Sequence, residues 1–250
     1  MSDLPMLAFD GVTRRHRLGR EHRTVLDGIA FEVWPGELVA ILGQRRSGKT
    51  TLLRIAAGIE TPDAGAVRLD GEALGGLSSS ARTRRLRAVG FAPKEWRVAR
   101  GKPVLDHVAL PLLAAGRPLV TAHAKAHELL ERVGAPHCAG ALVHELAPAD
   151  ETRAALAQAL AREPRLLLVD EPGVMAAPEE RAELLALLRE LAEERPQLAV
   201  VATTRDVVGV AGARRILTLD AGQMRGAGEP PSADVLPFPG GPAAETAPTR

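Results

Sequence analysis

The chain has no tyrosine, and aromatic residues fill only 2% of its 250 positions. Its core must be assembled from leucine, valine and alanine, which dominate a 46% apolar fraction. One cysteine, Cys138, excludes an intramolecular disulfide and fits a reducing compartment. It reads as a small core residue rather than a catalytic thiol. No apolar run reaches the ~18 residues of a membrane span. The opening Met1-Ser2-Asp3-Leu4-Pro5 lacks the basic-then-apolar pattern of a secretion signal. A net charge of +1 exerts no global pull on nucleic acid or anionic lipid. The expectation is a soluble cytoplasmic protein with no nucleic-acid partner, free to sit on a membrane partner.

Against these absences stands one dense motif. Gly43-Gln44-Arg45-Arg46-Ser47-Gly48-Lys49-Thr50 is a complete Gly-x-x-x-x-Gly-Lys-Thr loop. The apolar run Leu38-Val39-Ala40-Ile41-Leu42 precedes it, and a helical pattern from Thr51 follows. Strand, Gly-rich turn and helix form the context in which such a loop cradles phosphates. Backbone N–H groups and the helix N-terminus face the phosphate oxygens. Lys49 is expected to reach the outer phosphates and Thr50 to offer its hydroxyl to Mg²⁺.

Further along, Leu166-Leu167-Leu168-Val169 is an apolar strand that ends in Asp170-Glu171. Buried strands deliver their terminal residues to the sheet edge where ligands bind. Asp170 is expected to hold Mg²⁺ against phosphates gathered by Lys49. Glu171, one residue on, is expected to point elsewhere and polarise an attacking water. The cofactors implied by these residues are a nucleotide and Mg²⁺.

Short strands alternate with helices through most of the chain. Strand patterns lie at 29–33, 66–69, 89–92, 166–169, 198–202 and 216–219, and helical ones at 78–87, 104–113, 122–133, 151–162 and 178–194. Continuous apolar strands between helices argue for an α/β fold with a mostly parallel sheet covered on both faces. The helical stretch 95–150 is expected to form a separate lobe. Residues 226–250, rich in Pro, Gly and Ala, read as a disordered tail. The basic run at Arg82, Arg84, Arg85 and Arg87 reads as a solvated helix face, and His123 with His127 as a solvent-facing pair.

Over residues 6–225 the chain resembles the ATP-binding subunit of an ATP-binding-cassette (ABC) transporter. The resemblance rests on residues 26–37 leading into the loop, on Gly43 through Thr51 as Walker A, and on Leu166 through Pro172 as Walker B plus the catalytic Glu171. Residues 104–113 are similar to the helical subdomain of the lipoprotein-release and macrolide-exporter group, and His144-Glu145-Leu146 with Arg153 frames the signature region. The resemblance implies a P-loop NTPase core with an antiparallel β subdomain and a helical subdomain. It implies that the nucleotide is ATP, and it implies a membrane permease as partner, a second ABC subunit in a homo- or heterodimer, and a peripheral position at the inner face of the cell membrane. It also places His16 where the family stacks an aromatic on adenine.

Several positions depart from the family pattern. The signature Leu-Ser-Gly-Gly-Gln/Glu is replaced by Leu146-Ala147-Pro148-Ala149-Asp150. Lys94 stands for the Q-loop Gln and Arg205 for the switch His. The D-loop reads Gly173-Val174-Met175-Ala176-Ala177, and Arg45 and Arg46 occupy loop positions that are usually small. Groups that hold phosphate and metal remain, while groups that sense and close across a dimer are altered. The expectation is a degenerate cassette that binds ATP firmly, turns it over slowly and pairs with a fuller subunit. A nucleotide-gated binding module with little hydrolysis is the main alternative, and a small-molecule kinase a third reading.

Overall fold

A computed structural model describes residues 4–19, 21–205 and 213–225. The tail expected at 226–250 lies outside the described residues.

Two strands, β1 (Leu7–Leu18) and β2 (Glu21–Val33), pair as a long antiparallel hairpin. With β4 (Ala64–Leu69) and β5 (Glu72–Ala73) they form a four-stranded antiparallel sheet in the order β2-β1-β4-β5. The second sheet holds β3 (Leu38–Leu42), β6 (Val89–Ala92), β7 (Leu166–Val169), β8 (Ala199–Thr204), β9 (Arg215–Asp220) and β10 (Gln223–Arg225). Its order is β10-β9-β3-β8-β7-β6, parallel except for the edge strand β10. The mostly parallel core and the antiparallel subdomain are thus both present.

The alternation of side chains along these strands sorts the interior into two layers. Val39, Ile41, Leu166, Leu168, Ala199 and Val201 face the four-stranded sheet, and helix α1 (Lys49–Ala56) lies among them through Leu52, Leu53 and Ile55. With so few aromatics, one stacked pair, Phe9 on Phe31 at 4.9 Å, anchors this layer. Leu38, Leu167, Val169, Val200 and Ala202 face the opposite way.

On that second face α5 (Pro148–Leu160) and α6 (Pro178–Glu194) meet the strands, and α3 (Val104–Leu113) and α4 (Leu119–Arg132) pack outside them against α5. The helices of the 95–150 stretch pack on each other and on α5, which carries them against the sheet. Leu129 and Leu130 of α4 join Leu156 and Leu160 of α5 in one cluster with the sheet residues Leu167 and Val169.

Helix α2 (Ser79–Leu86) is capped by Ser78, whose Oγ accepts from the Ala81 N–H at 3.3 Å. Its arginines find local partners. Arg82 donates to the Gly58 carbonyl at 2.9 Å, and Arg85 pairs with Glu72. His123 lies 3.0 Å from Asp106.

Leu156, fully buried at the junction of the helical segment and the sheet, tests this shared core. Leu156→Ala should cost about 2–5 kcal/mol, the usual range for a truncated buried leucine. Urea denaturation checks it, with a single transition expected for both layers.

Candidate functional site

The site is assembled at the carboxyl edge of the parallel sheet. β8 lies between β3 and β7, so the phosphate loop after β3 and the acidic pair after β7 flank the end of β8. Thr203, at that end, joins them. Its hydroxyl donates to Asp170 Oδ1 at 2.8 Å and accepts from the Glu171 N–H at 2.9 Å. The next residue, Thr204, accepts from the Gly43 N–H at 3.0 Å. Pattern reasoning missed Thr203. Its one sequence signal is a hydroxyl ending an otherwise apolar strand.

Gly43 has no room for a side chain, since an added Cβ would sit 2.5 Å from the Leu219 carbonyl oxygen. Gln44 is exposed, and its carbonyl faces inward. Arg46 takes φ 63°, the left-handed region that glycine tolerates best. Gly48, at φ 108°, opens α1. Lys49 is 4% exposed. Its Nζ donates to the Gly43 and Gln44 carbonyls at 2.6 and 2.9 Å and pairs with Glu171 Oε1 at 3.2 Å. Thr50 Oγ1 donates to Asp170 Oδ2 at 2.8 Å, uniting two residues 120 positions apart. Ser47 Oγ is buried without a hydrogen-bond partner, and Thr51 is buried beside it.

Glu171 does not point away from this group. A backbone φ of 48° turns it back into the cleft. Its carboxylate meets Lys49, Lys94 at 2.9 Å and Arg205 Nε at 2.8 Å. Lys49, expected to face phosphate, therefore meets this carboxylate together with Lys94 and Arg205. Burial pushes this carboxyl up, but hydrogen bonds from Arg205, Lys94 and Lys49 outweigh burial and hold it at about 2. Asp170 goes the other way. Burial raises it, against opposing hydrogen bonds from Thr50 and Thr203.

A cleft of about 620 Å³ opens over this group, lined by Arg45, Arg46, Ser47, Gly48, Lys49, Thr50, Thr51, Lys94 and Glu171. His16 lies at its far end with Arg23 directly across the β1–β2 hairpin. His16 Nε2 is 3.3 Å from Glu60. Arg23 was not legible as a site residue, because only the hairpin register puts it opposite His16.

The signature-like segment starts α5. Ala147 is the N-cap without a side-chain cap, and Pro148 occupies the first turn. Proline suits that position, since its missing N–H has no intrahelical partner there. The helix therefore begins at Pro148, earlier than its pattern at 151–162 suggests, and Glu151 accepts from the Trp96 N–H at 2.9 Å.

The lowered Glu171 pKa fixes the sign of a pH effect. A carboxyl whose folded pKa lies below its ordinary 4.5 contributes stability above that value and loses it as pH falls toward about 2. The stability advantage of the parent chain over Glu171→Gln should shrink across that window. Denaturant titrations of both chains at successive pH values check it.

Comparison with known proteins agrees with this geometry. Residues 26–174 match the family model described as ABC transporter. The lipoprotein-releasing system ATP-binding protein LolD 2 of Caulobacter vibrioides is 38% identical over 204 residues, covering 81% of this chain and 89% of that protein. The methionine import ATP-binding protein MetN of the same organism is 34% identical, covering 88% of this chain and 65% of its own length. Among solved structures, the dimeric bacterial ABC transporter cassette MJ0796 superposes with a TM-score of 0.81 at 26% identity, covering 89% of this chain and 99% of that one. A second structure of MJ0796, in a post-hydrolysis state with ADP and Pi, gives the same values. With Thr50, Asp170 and the phosphate loop meeting at one sheet edge, these matches identify the chain as a member of the ABC transporter ATP-binding family.

Proposed function

We propose that this chain binds MgATP in the cleft above β3 and β7, hydrolyses it slowly, and couples it to a membrane permease alongside a second ABC subunit. The carrying observation is the convergence of Lys49, Thr50 and Asp170, with Thr50 and Asp170 in direct contact. The Ser47 hydroxyl, buried and unpartnered, suits an oxygen-rich ligand at the loop. Lys49 and the loop N–H groups would take the phosphates, and Thr50 with Asp170 would hold Mg²⁺. The ion supplies neutralisation of phosphate charge when bound. His16 and Arg23 would meet the base.

Glu171 is the proposed base for the attacking water. A base works best with a pKa near the working pH. Held at about 2 by its cations, Glu171 accepts a proton poorly. Slow turnover follows from that constraint rather than from loss of the carboxylate. The same constraint favours the second reading, a nucleotide-gated module with little hydrolysis.

Leu110, Leu119 and Val120 are exposed large apolar residues on α3 and α4. Among the described residues no helix is long and apolar enough to cross a membrane. These exposed side chains suit docking to a permease at the membrane's inner face. The LolD relatives favour a lipoprotein-release permease, with the second subunit supplying the intact signature that this chain's Ala147-Pro148-Ala149 lacks.

Two measurements test this reading. Lys49→Ala should weaken ATP binding by about a hundredfold or more, read by fluorescent-nucleotide titration. Replacing Lys94 with Gln and Arg205 with His frees Glu171 and should raise ATP turnover about tenfold. Glu171→Gln in that background should return turnover to the starting level. Family-typical turnover by the unmodified chain alone would overturn the slow-hydrolysis proposal. No gain from the double change would favour the gated module.

A further inference from the structure

Away from the nucleotide cleft, the single cysteine sits in polar company. Cys138 ends a short turn, Pro136–Cys138, that follows α4, and the residue is 1% exposed. Its neighbour His137 has Nε2 3.1 Å from Asp150 Oδ2. Asp150 lies in the first turn of α5, at the end of the Leu146–Asp150 segment. One donor atom from each of His137, Cys138 and Asp150 falls within 4.8 Å of the other two. The turn is fixed from both sides: the Cys138 N–H donates to Ala135 at 3.1 Å, and its carbonyl accepts from Ala141 at 3.0 Å.

We propose that His137, Cys138 and Asp150 form a binding site for a thiophilic divalent cation of the zinc and cobalt class. One sulfur, one imidazole nitrogen and one carboxylate oxygen form a donor set suited to such ions, whereas magnesium and calcium take oxygen ligands. Bonds of roughly 2.0–2.3 Å in a tetrahedron put donor atoms about 3.5 Å apart. The His137 and Asp150 atoms, 3.1 Å apart, already lie near that spacing, and the three donors fall within 4.8 Å of one another. The His137 side chain, 62% exposed, is free to adjust. Its exposure also leaves a fourth position for water.

The charges close as well. Cys138 carries its proton in the metal-free protein, because burial and then Asp150 push the thiol up to about 11. On binding, the S–H bond breaks, the proton leaves to solvent, and the sulfur lone pair forms the metal bond. His137 contributes its ring-nitrogen lone pair and remains neutral. Thiolate and carboxylate then cancel the two positive charges. The bound ion would staple the Pro136–Cys138 turn to a helix start that has no side-chain cap.

The test uses the untagged full chain and metal alone, without nucleotide, so its outcome is separate from the ATP reading. Titration with Co²⁺ should give one equivalent with thiolate-to-cobalt charge-transfer absorption and the visible bands of a four-coordinate ion. Cys138→Ala should abolish the charge-transfer band. His137→Gln, at an exposed side chain, and Asp150→Asn should each weaken binding at least tenfold while circular dichroism stays unchanged. Zn²⁺ should raise the melting temperature of the parent chain and leave that of His137→Gln less affected. Absence of the charge-transfer band at millimolar Co²⁺, or an affinity in His137→Gln and Asp150→Asn equal to that of the parent chain, would overturn the site and leave an ordinary His–Asp ion pair beside a core cysteine.

Discussion

The position of β8 between β3 and β7 is the constraint on which the site depends. Parallel pairing sets Ile41 opposite Thr203 and Val169 opposite Ala202. A shift of one residue would exchange the side chains packed in the two layers, so the fit of each layer to its own set favours this register. That register delivers Gly43, Thr203 and Asp170 to one edge. The Thr203 hydroxyl then bonds both the Asp170 carboxylate and the Glu171 N–H. Packing energy spread over two cores is thereby converted into the placement of a few polar atoms.

Much of this framework could be read from the sequence, for identifiable reasons. α3 and α6 span the residues their patterns mark, because both combine clear apolar spacing with a proline at or near the start. The phosphate loop and the acidic pair were legible because their chemistry is local. Of the β1–β2 hairpin, only residues 29–33 carry a strand pattern in the sequence. Gly11 and Gly28, both at φ 62°, lie where the strand register shifts, and such irregularities break the alternation that marks a strand. β10 is short and depends on the tight Ala221-Gly222 turn, both residues at positive φ. The pairing of Lys94 and Arg205 with Glu171 was illegible, because it joins three separate strand ends and needs the left-handed backbone at Glu171.

The departures from the family pattern have different structural weights. Ala147-Pro148 removes a side-chain cap yet leaves α5 intact, because proline at the helix start needs no hydrogen-bond partner. Under the proposed function, what that change removes is a set of donors at a helix N-terminus that a partner subunit would use and folding does not need. Lys94 and Arg205 act within the chain itself. They bring fixed positive charge to a carboxylate that is 7% exposed, where water screens little. One substitution class alters what the molecule can offer to another chain, and the other alters the acid–base character of its own site.

Charge balance in the cleft bears on how the proposed function would separate binding from turnover. Arg23, Arg45, Arg46, Lys49 and Lys94 all line it, with Glu171 as the carboxylate among them. Two unit charges 4 Å apart interact by about 4 kcal/mol at an effective dielectric of 20, so such a wall strongly favours a polyanion. Under the proposed function, the same cations would attract the phosphates before and during bond cleavage. Interactions made equally in both states tighten binding without lowering the chemical barrier. Phosphates entering the cleft would also compete with Glu171 for Lys94 and Arg205. Each cation that moves to phosphate relieves the carboxylate and lets its proton affinity rise. Under the proposed function, binding and base strength would therefore be coupled through shared counterions, and the rate would be set by how completely the ligand draws those cations away.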